Sequence, residues 1–357
     1  MKKFLFLIVL LSYVTISYAQ NSLLATLNHE GTVSTFYGIS ALRDAHSKAV
    51  HGDVITLSSG TFNSVDITKA ITLRGAGMEY DSLTTTEPTI INGDFNIQIP
   101  NDSTLKNHTL IMEGIYNNYI ITIASNLYNP QFVKCNFYRI GSKNQSSNSL
   151  GFRNASFINC IISDFVRITT DCSATLVNSF VADPIQLSSS YSVFEFQNCV
   201  INFNNINGSS YDNYVYKLSN SIFRNCFINC RNSSSSYYYY NTLDPSCTAY
   251  NCVGYSHKNN IFNNQINTTN TNVSSVSEVF KTWQGENLNT FKTERLELAD
   301  AAKAKYLGVD GTQIGIYGGS IPFEARPSNP QITKLNVASK STADGKLSVD
   351  IEVKAAE

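Results

Sequence analysis

Two acidic residues, Asp164 and Asp183, hold equivalent positions in successive copies of a sequence repeat, where neighbouring copies carry Arg139 and Phe203. If each copy is one coil of a stacked structure, the two carboxylates lie one coil apart and their titrations are coupled. Such a pair can bind Ca²⁺ together with backbone carbonyls, or divide acid and base roles in glycoside cleavage. Arg167 can then act as a base or bind a uronate carboxylate through two hydrogen bonds. The alternative is that these are solvated residues of surface bends.

A second group of candidates is aromatic. Four consecutive tyrosines follow a run of serines, and Tyr211, Tyr214 and Tyr216 come one repeat earlier. The four are Tyr237, Tyr238, Tyr239 and Tyr240. Exposed aromatic rings stack well on sugar rings and lose little rotamer entropy. The alternative is that strand alternation turns at least two of the four into the core.

These candidates are organised by a repeated phrase, apolar–x–Asn–Cys–x–apolar, whose clearest copies are residues 157–162, 196–201 and 223–228. Along the Cys column, where Ser179 stands in once, the steps are 25, 19, 20, 27 and 26 residues. A period in the low twenties predicts a solenoid, in which each coil buries its apolar edge against its neighbours. The two columns are Asn159, Asn178, Asn198, Asn225 and Asn251, and Cys135, Cys160, Cys199, Cys226 and Cys252.

Apolar and polar residues alternate around each Cys, which is the period of a strand. Stacked strands turn each column into a ladder, in which an Asn can hydrogen-bond the coils above and below. The column cysteines are expected to point inward as buried free thiols, although neighbouring coils are close enough for disulfides. The chain has eight cysteines, and the pattern assigns no role to Cys172, Cys230 and Cys247. With no CxxC and five scattered histidines, no metal site is predicted.

Residues 1–19 combine Lys2-Lys3, an apolar run and a small-residue cleavage site, which predicts a signal peptide. No later run is long and apolar enough to span a bilayer, so an exported protein is expected, in the periplasm, at the cell surface or outside the cell. The net charge of −1 argues against nucleic-acid partners. Few charged residues and many Asn, Ser, Thr, Tyr and Phe suit β-structure and neutral partners such as glycans.

The ends of the domain have their own signals. Residues 38–50 carry apolar positions at helical spacing, which predicts a short helix that caps the open end of the first coil. Strands are predicted at Val54–Leu57 and at residues 65–67. After a linker that begins at Arg326, alternating residues around Asp344-Gly345 predict a β-hairpin tail that reaches residue 357.

The segment from His51 to Gly77, HGDVITLSSGTFNSVDITKAITLRGAG, is similar to the opening of right-handed parallel β-helix proteins of the pectin lyase-like superfamily. The Asn column resembles their asparagine ladder, and residues 308–319 resemble the closing segment of secreted bacterial β-helix proteins. The resemblance implies a single-stranded right-handed parallel β-helix over residues 20–325, with about 10–11 coils. It implies no activity, because this scaffold hosts lyases, hydrolases, esterases and binding proteins.

The enzymes of that superfamily have motifs that include an Asp-Asp pair, Gly-His-Gly or Arg-x-Lys. This chain contains none of the three. Asn92-Gly93-Asp94 matches one hydrolase element in isolation. We therefore expect an exported, non-catalytic protein without a cofactor that binds glycans or a partner at the cell surface. The competing hypothesis is an enzyme that acts on acidic polysaccharide, either a glycoside hydrolase or a polysaccharide lyase, and only the lyase can use Ca²⁺ as cofactor. A third is that the tail hairpin adds to an open sheet edge during assembly.

Overall fold

The computed structural model describes residues 23–326 and 331–354, apart from several internal gaps; at some strand positions, Asp164 among them, only the backbone is described. The gaps are residues 83–85, 102–104, 106, 143–150, 167–171, 183–192, 204–219, 231–242, 257–259, 264, 268, 286–292, 338–339 and 343. Among the helices that the structure describes, none has the length and apolar character needed to cross a membrane.

The chain forms a parallel β-helix built on two long sheets. Sheet 1 contains, in spatial order, β2 (Thr32–Tyr37), β1 (Leu24–His29), β3 (Val54–Leu57), β5 (Thr72–Arg74), β8 (Ile111–Glu113), β11 (Gln131–Val133), β14 (Ala155–Ile158), β16 (Ser173–Val177), β18 (Val193–Gln197), β20 (Ile222–Arg224) and β22 (Thr248–Tyr250). Sheet 2 contains β4 (Gly60–Asn63), β6 (Thr89–Asn92), β9 (Ile115–Ile123), β12 (Asn136–Ser142), β15 (Ile161–Val166), β17 (Phe180–Ala182), β19 (Val200–Phe203), β21 (Phe227–Cys230), β23 (Val253–Ser256) and β24 (Thr271–Val273), with β7 (Phe95–Ile97) beside β9. A short pair joins β10 (Leu127–Tyr128) to β13 (Phe152–Arg153).

The repeat register predicted from the sequence is confirmed by the strand pairing. Phe157 pairs with Phe132 on one side and with Leu176 on the other, and Phe196 pairs with Phe223. The stacked rings lie 4.7 Å apart between Phe132 and Phe157 and 5.0 Å apart between Phe196 and Phe223. Sheet 1 contributes nine parallel strands and sheet 2 contributes ten, so the described chain makes about ten coils.

The Asn and Cys columns lie where sheet 1 bends into sheet 2. Every Asn of the column has a left-handed backbone, with φ between 45° and 55°, which Asn tolerates better than most residues. The column cysteines are buried, and Cys160 Sγ donates to Phe132 O at 3.3 Å. Burial raises the pKa of the Cys160 thiol to about 12. All eight cysteines, Cys172, Cys230 and Cys247 included, are buried thiols that form no disulfide.

The N-terminal end is closed by helix α1 (Ala41–Lys48), which confirms the predicted cap. Its Ala41, Leu42 and Ala45 are fully buried against the first coil. An unpredicted hairpin, β1–β2, extends sheet 1 with two antiparallel strands that both contact α1, and its two-residue turn has positive φ as a tight hairpin requires. The prediction of a strand at residues 65–67 is wrong. The strand of this coil is β4, which ends at Asn63, and within 65–67 only Ile67 forms an isolated bridge.

We expect acid to destabilise this cap through His46. The side chain is buried, and its Nε2 accepts a hydrogen bond from Thr68 N at 3.3 Å. Burial, reinforced by the charge of Lys69, lowers the pKa of His46 to about 4. The unfolded chain therefore binds the extra proton between pH 6.5 and 4, so stability falls with pH across that window by about 3 kcal/mol at most. Thermal unfolding followed by circular dichroism from pH 7 to 4 measures the effect.

A His46→Gln variant should lose this part of the acid sensitivity, because it has no proton to bind. His29→Gln is the matched control with the opposite sign: the Asp53 carboxylate, 2.7 Å from His29 Nδ1, raises the pKa of His29. That contribution is complete below pH 6.5 and is lost as pH rises through the raised pKa. Equal acid sensitivity in His46→Gln and wild type would contradict the assignment.

Sheet 2 is covered on its outer face by the chain that returns after β24. A second apolar core joins Phe180, Val200 and Phe227 of the sheet to Phe280 and Trp283 of the returning chain. The four residues of β19 and the four of β21 are buried on both faces of the strand. The returning chain contains 3₁₀ turns at Val276–Glu278 and Thr293–Leu296 and helix α2 (Asp300–Lys305).

Residues 306–326, here called the C-terminal strap, run back along the Asn column. Asn178 Nδ2 donates to Ile316 O at 2.7 Å and to Gly318 O at 2.6 Å. Asn225 Oδ1 accepts from Val309 N at 3.2 Å. Within the column, Asn225 Nδ2 reaches Asn198 Oδ1 only at 3.5 Å. The side chains of Asn178 and Asn225 therefore bond to the strap. The expected bonds between coils are present as well, because the backbone N–H groups of the column donate to the next coil, as Asn178 N does to Gln197 O at 3.0 Å.

The tail is an antiparallel hairpin of β25 (Gln331–Val337) and β26 (Val349–Lys354), as predicted. Its loop closes through Thr342 N donating to Lys346 O, and Gly345 has φ of 78°. Leu347, Val349 and Ile351 are about half exposed. That the hairpin adds to an open sheet edge during assembly stays a prediction.

Candidate functional site

The structure places only part of the candidate column. Asp164 lies in β15, and its backbone pairs in register with Arg139 of β12, which confirms that alignment. The side chain of Asp164 lies outside the described part of the chain, and so do Arg167 and Asp183. The tyrosines Tyr237, Tyr238, Tyr239 and Tyr240 also lie outside it. Their catalytic or binding roles stay predictions.

The structure does show a solvent-exposed bend in sheet 2, formed by β9 and β12. Phe137 and Ile140 of β12 are buried, and Tyr138 between them is 42% exposed. On the preceding coil, β9 carries one extra residue at this point, because Phe137 pairs with Asn117 whereas Arg139 pairs with Ile120. Such a bulge bends the strand and redirects its side chains outward.

Asn117 holds the bulge of β9 in shape. The side chain is fully buried, and its Nδ2 donates to Ile91 O at 2.7 Å and to Gly93 O at 3.2 Å. Its Oδ1 accepts from Tyr119 N at 3.0 Å. The bonds to the coil before and to the backbone two residues ahead fix the bend, so Tyr119 projects from a rigid support. Tyr119 is 42% exposed.

Tyr119 and Tyr138 therefore occupy the same bend on neighbouring coils, whose backbones are about 4.8 Å apart. The guanidinium Cζ of Arg139 lies 5.5 Å from the centre of the Tyr138 ring, within cation–π range. One coil earlier, the exposed Asp94 accepts a hydrogen bond from Ile120 N at 2.8 Å. We call Asp94, Tyr119, Tyr138 and Arg139 the Tyr–Arg corner.

The Tyr–Arg corner offers three kinds of contact. The faces of Tyr119 and Tyr138 can stack on the apolar face of a sugar ring. The planar donors of Arg139 suit a carboxylate or a pair of hydroxyl groups. A remaining lone pair of Asp94 can accept from a sugar hydroxyl. Aromatic residues with a few fixed polar groups are typical of a surface that binds an extended glycan.

The repeat pattern places Arg139 in the same column as Asp164 and Asp183. It does not by itself indicate that Asp94, Tyr119 and Tyr138 are site residues. For Tyr138 a signal was present, because it directly precedes Arg139 in the aligned repeat. Tyr119 could not be aligned in the same way, since the bulge in β9 shifts its register.

A shallow pocket of about 20 Å³ is lined by Leu105, His108, Leu127 and Tyr128, among others. Within the ranges that the structure describes, no three or more His, Cys, Asp or Glu side chains are grouped closely enough to hold a metal ion.

Comparisons of the chain with protein-family profiles, with curated proteins and with solved structures find no match.

Proposed function

We propose that this chain is an exported, non-catalytic β-helix protein that binds a glycan at the Tyr–Arg corner. The observation that carries the proposal is the pair of exposed rings, Tyr119 and Tyr138, on neighbouring coils beside the Arg139 guanidinium. The signal peptide predicted at residues 1–19 supports export. The resemblance of residues 51–77 to the pectin lyase-like superfamily is compatible with a polysaccharide ligand.

The physical case rests on rigidity. Both rings project from strands of a stacked sheet, and Asn117 fixes the bend beneath Tyr119 through three hydrogen bonds. A rigid site loses little conformational entropy when it binds, so modest stacking energies are retained as affinity. Arg139 adds preference for acidic sugars, because a guanidinium binds a carboxylate more strongly than a neutral hydroxyl.

We expect Tyr138→Ala to weaken glycan binding by about 5- to 30-fold, which corresponds to the loss of one stacking and one cation–π contact. The measurement is calorimetric titration of residues 20–357 with oligosaccharides of polygalacturonate and with neutral xylan and glucan oligosaccharides. Tyr138→Phe should bind nearly as well as wild type, because it keeps the ring. Tyr80→Ala, which removes a 54% exposed ring outside the corner, is the control for unspecific loss of an aromatic residue. Equal weakening in both alanine variants would contradict a site at the corner.

The enzyme is the second candidate, and the backbone register of Arg139 with Asp164 supports it, because residues of opposite charge then pair between neighbouring coils. A polysaccharide lyase or hydrolase would release new reducing ends from polygalacturonate in the presence of Ca²⁺. Release that disappears in an Asp164→Ala/Asp183→Ala double variant would replace the binding proposal with a catalytic one. Binding without release supports the proposal as stated.

A further inference from the structure

The N-terminal edge of sheet 1 is open. Strand β2 is the outermost strand, and five of its six residues are exposed. Two hydrogen bonds, from Gly38 N to Leu23 O and from Ser58 N to Leu24 O, show which residues of β1 bond to β2 and which bond to β3. In an antiparallel pair bonded residues alternate, so Val33, Thr35 and Tyr37 direct their N–H and C=O groups away from β1. These groups bond to no residue of the described chain.

The opposite end of sheet 1 is closed by side chains that imitate a further strand. Gln265 Oε1 accepts from Ala249 N at 3.1 Å, and Asn270 Nδ2 donates to Ala249 O at 2.9 Å. Thr269 Oγ1 accepts from Asn251 N and Asn270 Oδ1 accepts from Cys252 N, each at 3.0 Å. The two ends therefore differ: the last coil has its edge groups satisfied and β2 does not.

Strand β2 also lacks the features that usually protect an edge. Its sequence, TVSTFY, has no charge, no proline and no bulge. Val33 is 60% exposed and Tyr37 is 64% exposed. Both side chains lie on the same face of the strand as that of Thr35, because residues two apart share a face.

We propose that β2 pairs antiparallel with β2 of a second copy of this chain, about a two-fold axis at Thr35. In this register Thr35 faces Thr35 of the second copy, and Val33 faces its Tyr37. The three outward-facing residues form the hydrogen-bonded pairs, which gives about six new backbone bonds. Threonine pairs and pairs of aromatic with β-branched residues are favourable across strands.

The closed far end decides the kind of assembly. A head-to-tail contact would need two free edges, and such contacts generate filaments when they do not close. Because only the β2 edge is free among the described ends of sheet 1, the contact is isologous and stops at a dimer. One strand pair buries less than the roughly 1,200–2,000 Å² of a stable interface, so the dimer should depend on concentration.

Sedimentation velocity of residues 20–357 between about 1 and 100 µM tests the proposal, since a weak dimer dissociates in that range. Wild type should shift toward twice the monomer mass as concentration rises. Thr35→Lys and Thr35→Asp should each remain monomeric, because like charges then face each other at the axis. An equimolar mixture of the two variants should form the dimer again, and only the proposed register predicts this rescue.

Ser34→Lys is the matched control, because it adds the same charge to the same strand on the opposite face and should still dimerise. Circular dichroism should show that every variant is folded. A wild type that stays monomeric at 100 µM, a dimeric Thr35→Lys, or a mixture that stays monomeric would each overturn the proposal. Glycan binding at the Tyr–Arg corner should be unchanged in Thr35→Lys, so the two proposals fail or succeed separately.

Discussion

Trp283→Ala is expected to lower the free energy of unfolding by about 3–5 kcal/mol, the usual cost of removing a large buried aromatic side chain. Trp283 is fully buried in the second core. Its ring contacts Phe280 at 4.9 Å, Phe227 at 6.0 Å and Phe180 at 6.3 Å between ring centres, all in edge-to-face geometry. Since Phe180 and Phe227 belong to two strands of sheet 2, the variant loosens the returning chain from the solenoid itself.

Urea unfolding followed by circular dichroism measures the effect, with Trp283→Phe as the matched control that keeps an aromatic ring and should lose much less. Trp283 is the only tryptophan of the chain, so its fluorescence in wild type reports the second core alone. We expect the fluorescence and circular dichroism transitions of wild type to coincide. A loss below about 1 kcal/mol in Trp283→Ala would show that the returning chain contributes little to stability.

The repeat could be predicted from the sequence because a solenoid converts a one-dimensional period into a three-dimensional column. Once Cys160 and Cys199 are aligned, strand pairing follows from the stacking of equivalent residues, and the structure confirms it from Phe132 to Phe223. The cap α1 and the tail hairpin were equally accessible, because helical spacing and an Asp-Gly turn are local signals.

The cover of sheet 2 could not be predicted in the same way, because it depends on contacts between residues far apart in the chain. One local signal existed: β19 and β21 contain apolar residues at consecutive positions, which is typical of a strand buried on both faces. That pattern shows that something covers the strand without identifying the segment. The structure identifies the covering segment, because Phe280, Trp283 and Ile316 of the returning chain lie in one core with residues of sheet 2.

The candidate site was predictable only in part for a related reason. Arg139 and Asp164 follow the repeat, so their alignment was correct. Tyr119 lies in a bulge that breaks the repeat, and its exposure depends on the buried hydrogen bonds of Asn117. A bulge shifts the register of a strand, so the repeat period does not predict which side chains are exposed at that position.

Asn178→Gly is expected to lower the free energy of unfolding by about 1.5–4.5 kcal/mol, although glycine suits the left-handed backbone at this position. Asn178 has φ of 45°, is buried, and donates to Ile316 O and Gly318 O. Without the amide, Gly318 O loses this partner, at about 1–3 kcal/mol, and Ile316 O keeps only the bond from Phe323 N, at a further loss of about 0.5–1.5 kcal/mol. Because glycine adopts positive φ without strain, the loss reports the hydrogen bonds to the strap and not the backbone.

Asn154→Gly is the matched control, since Asn154 has φ of 53° but is exposed on the bend before β14. It should change stability by less than about 0.5 kcal/mol, as is usual for surface positions. Asn178→Ala should cost about 1–2 kcal/mol more than Asn178→Gly, because alanine pays for the left-handed conformation as well. Urea midpoints and the fluorescence of Trp283 distinguish the outcomes. Equal stability of the two glycine variants would mean that the Asn column shapes the bend without holding the strap, whereas the expected difference shows that one residue type serves both purposes.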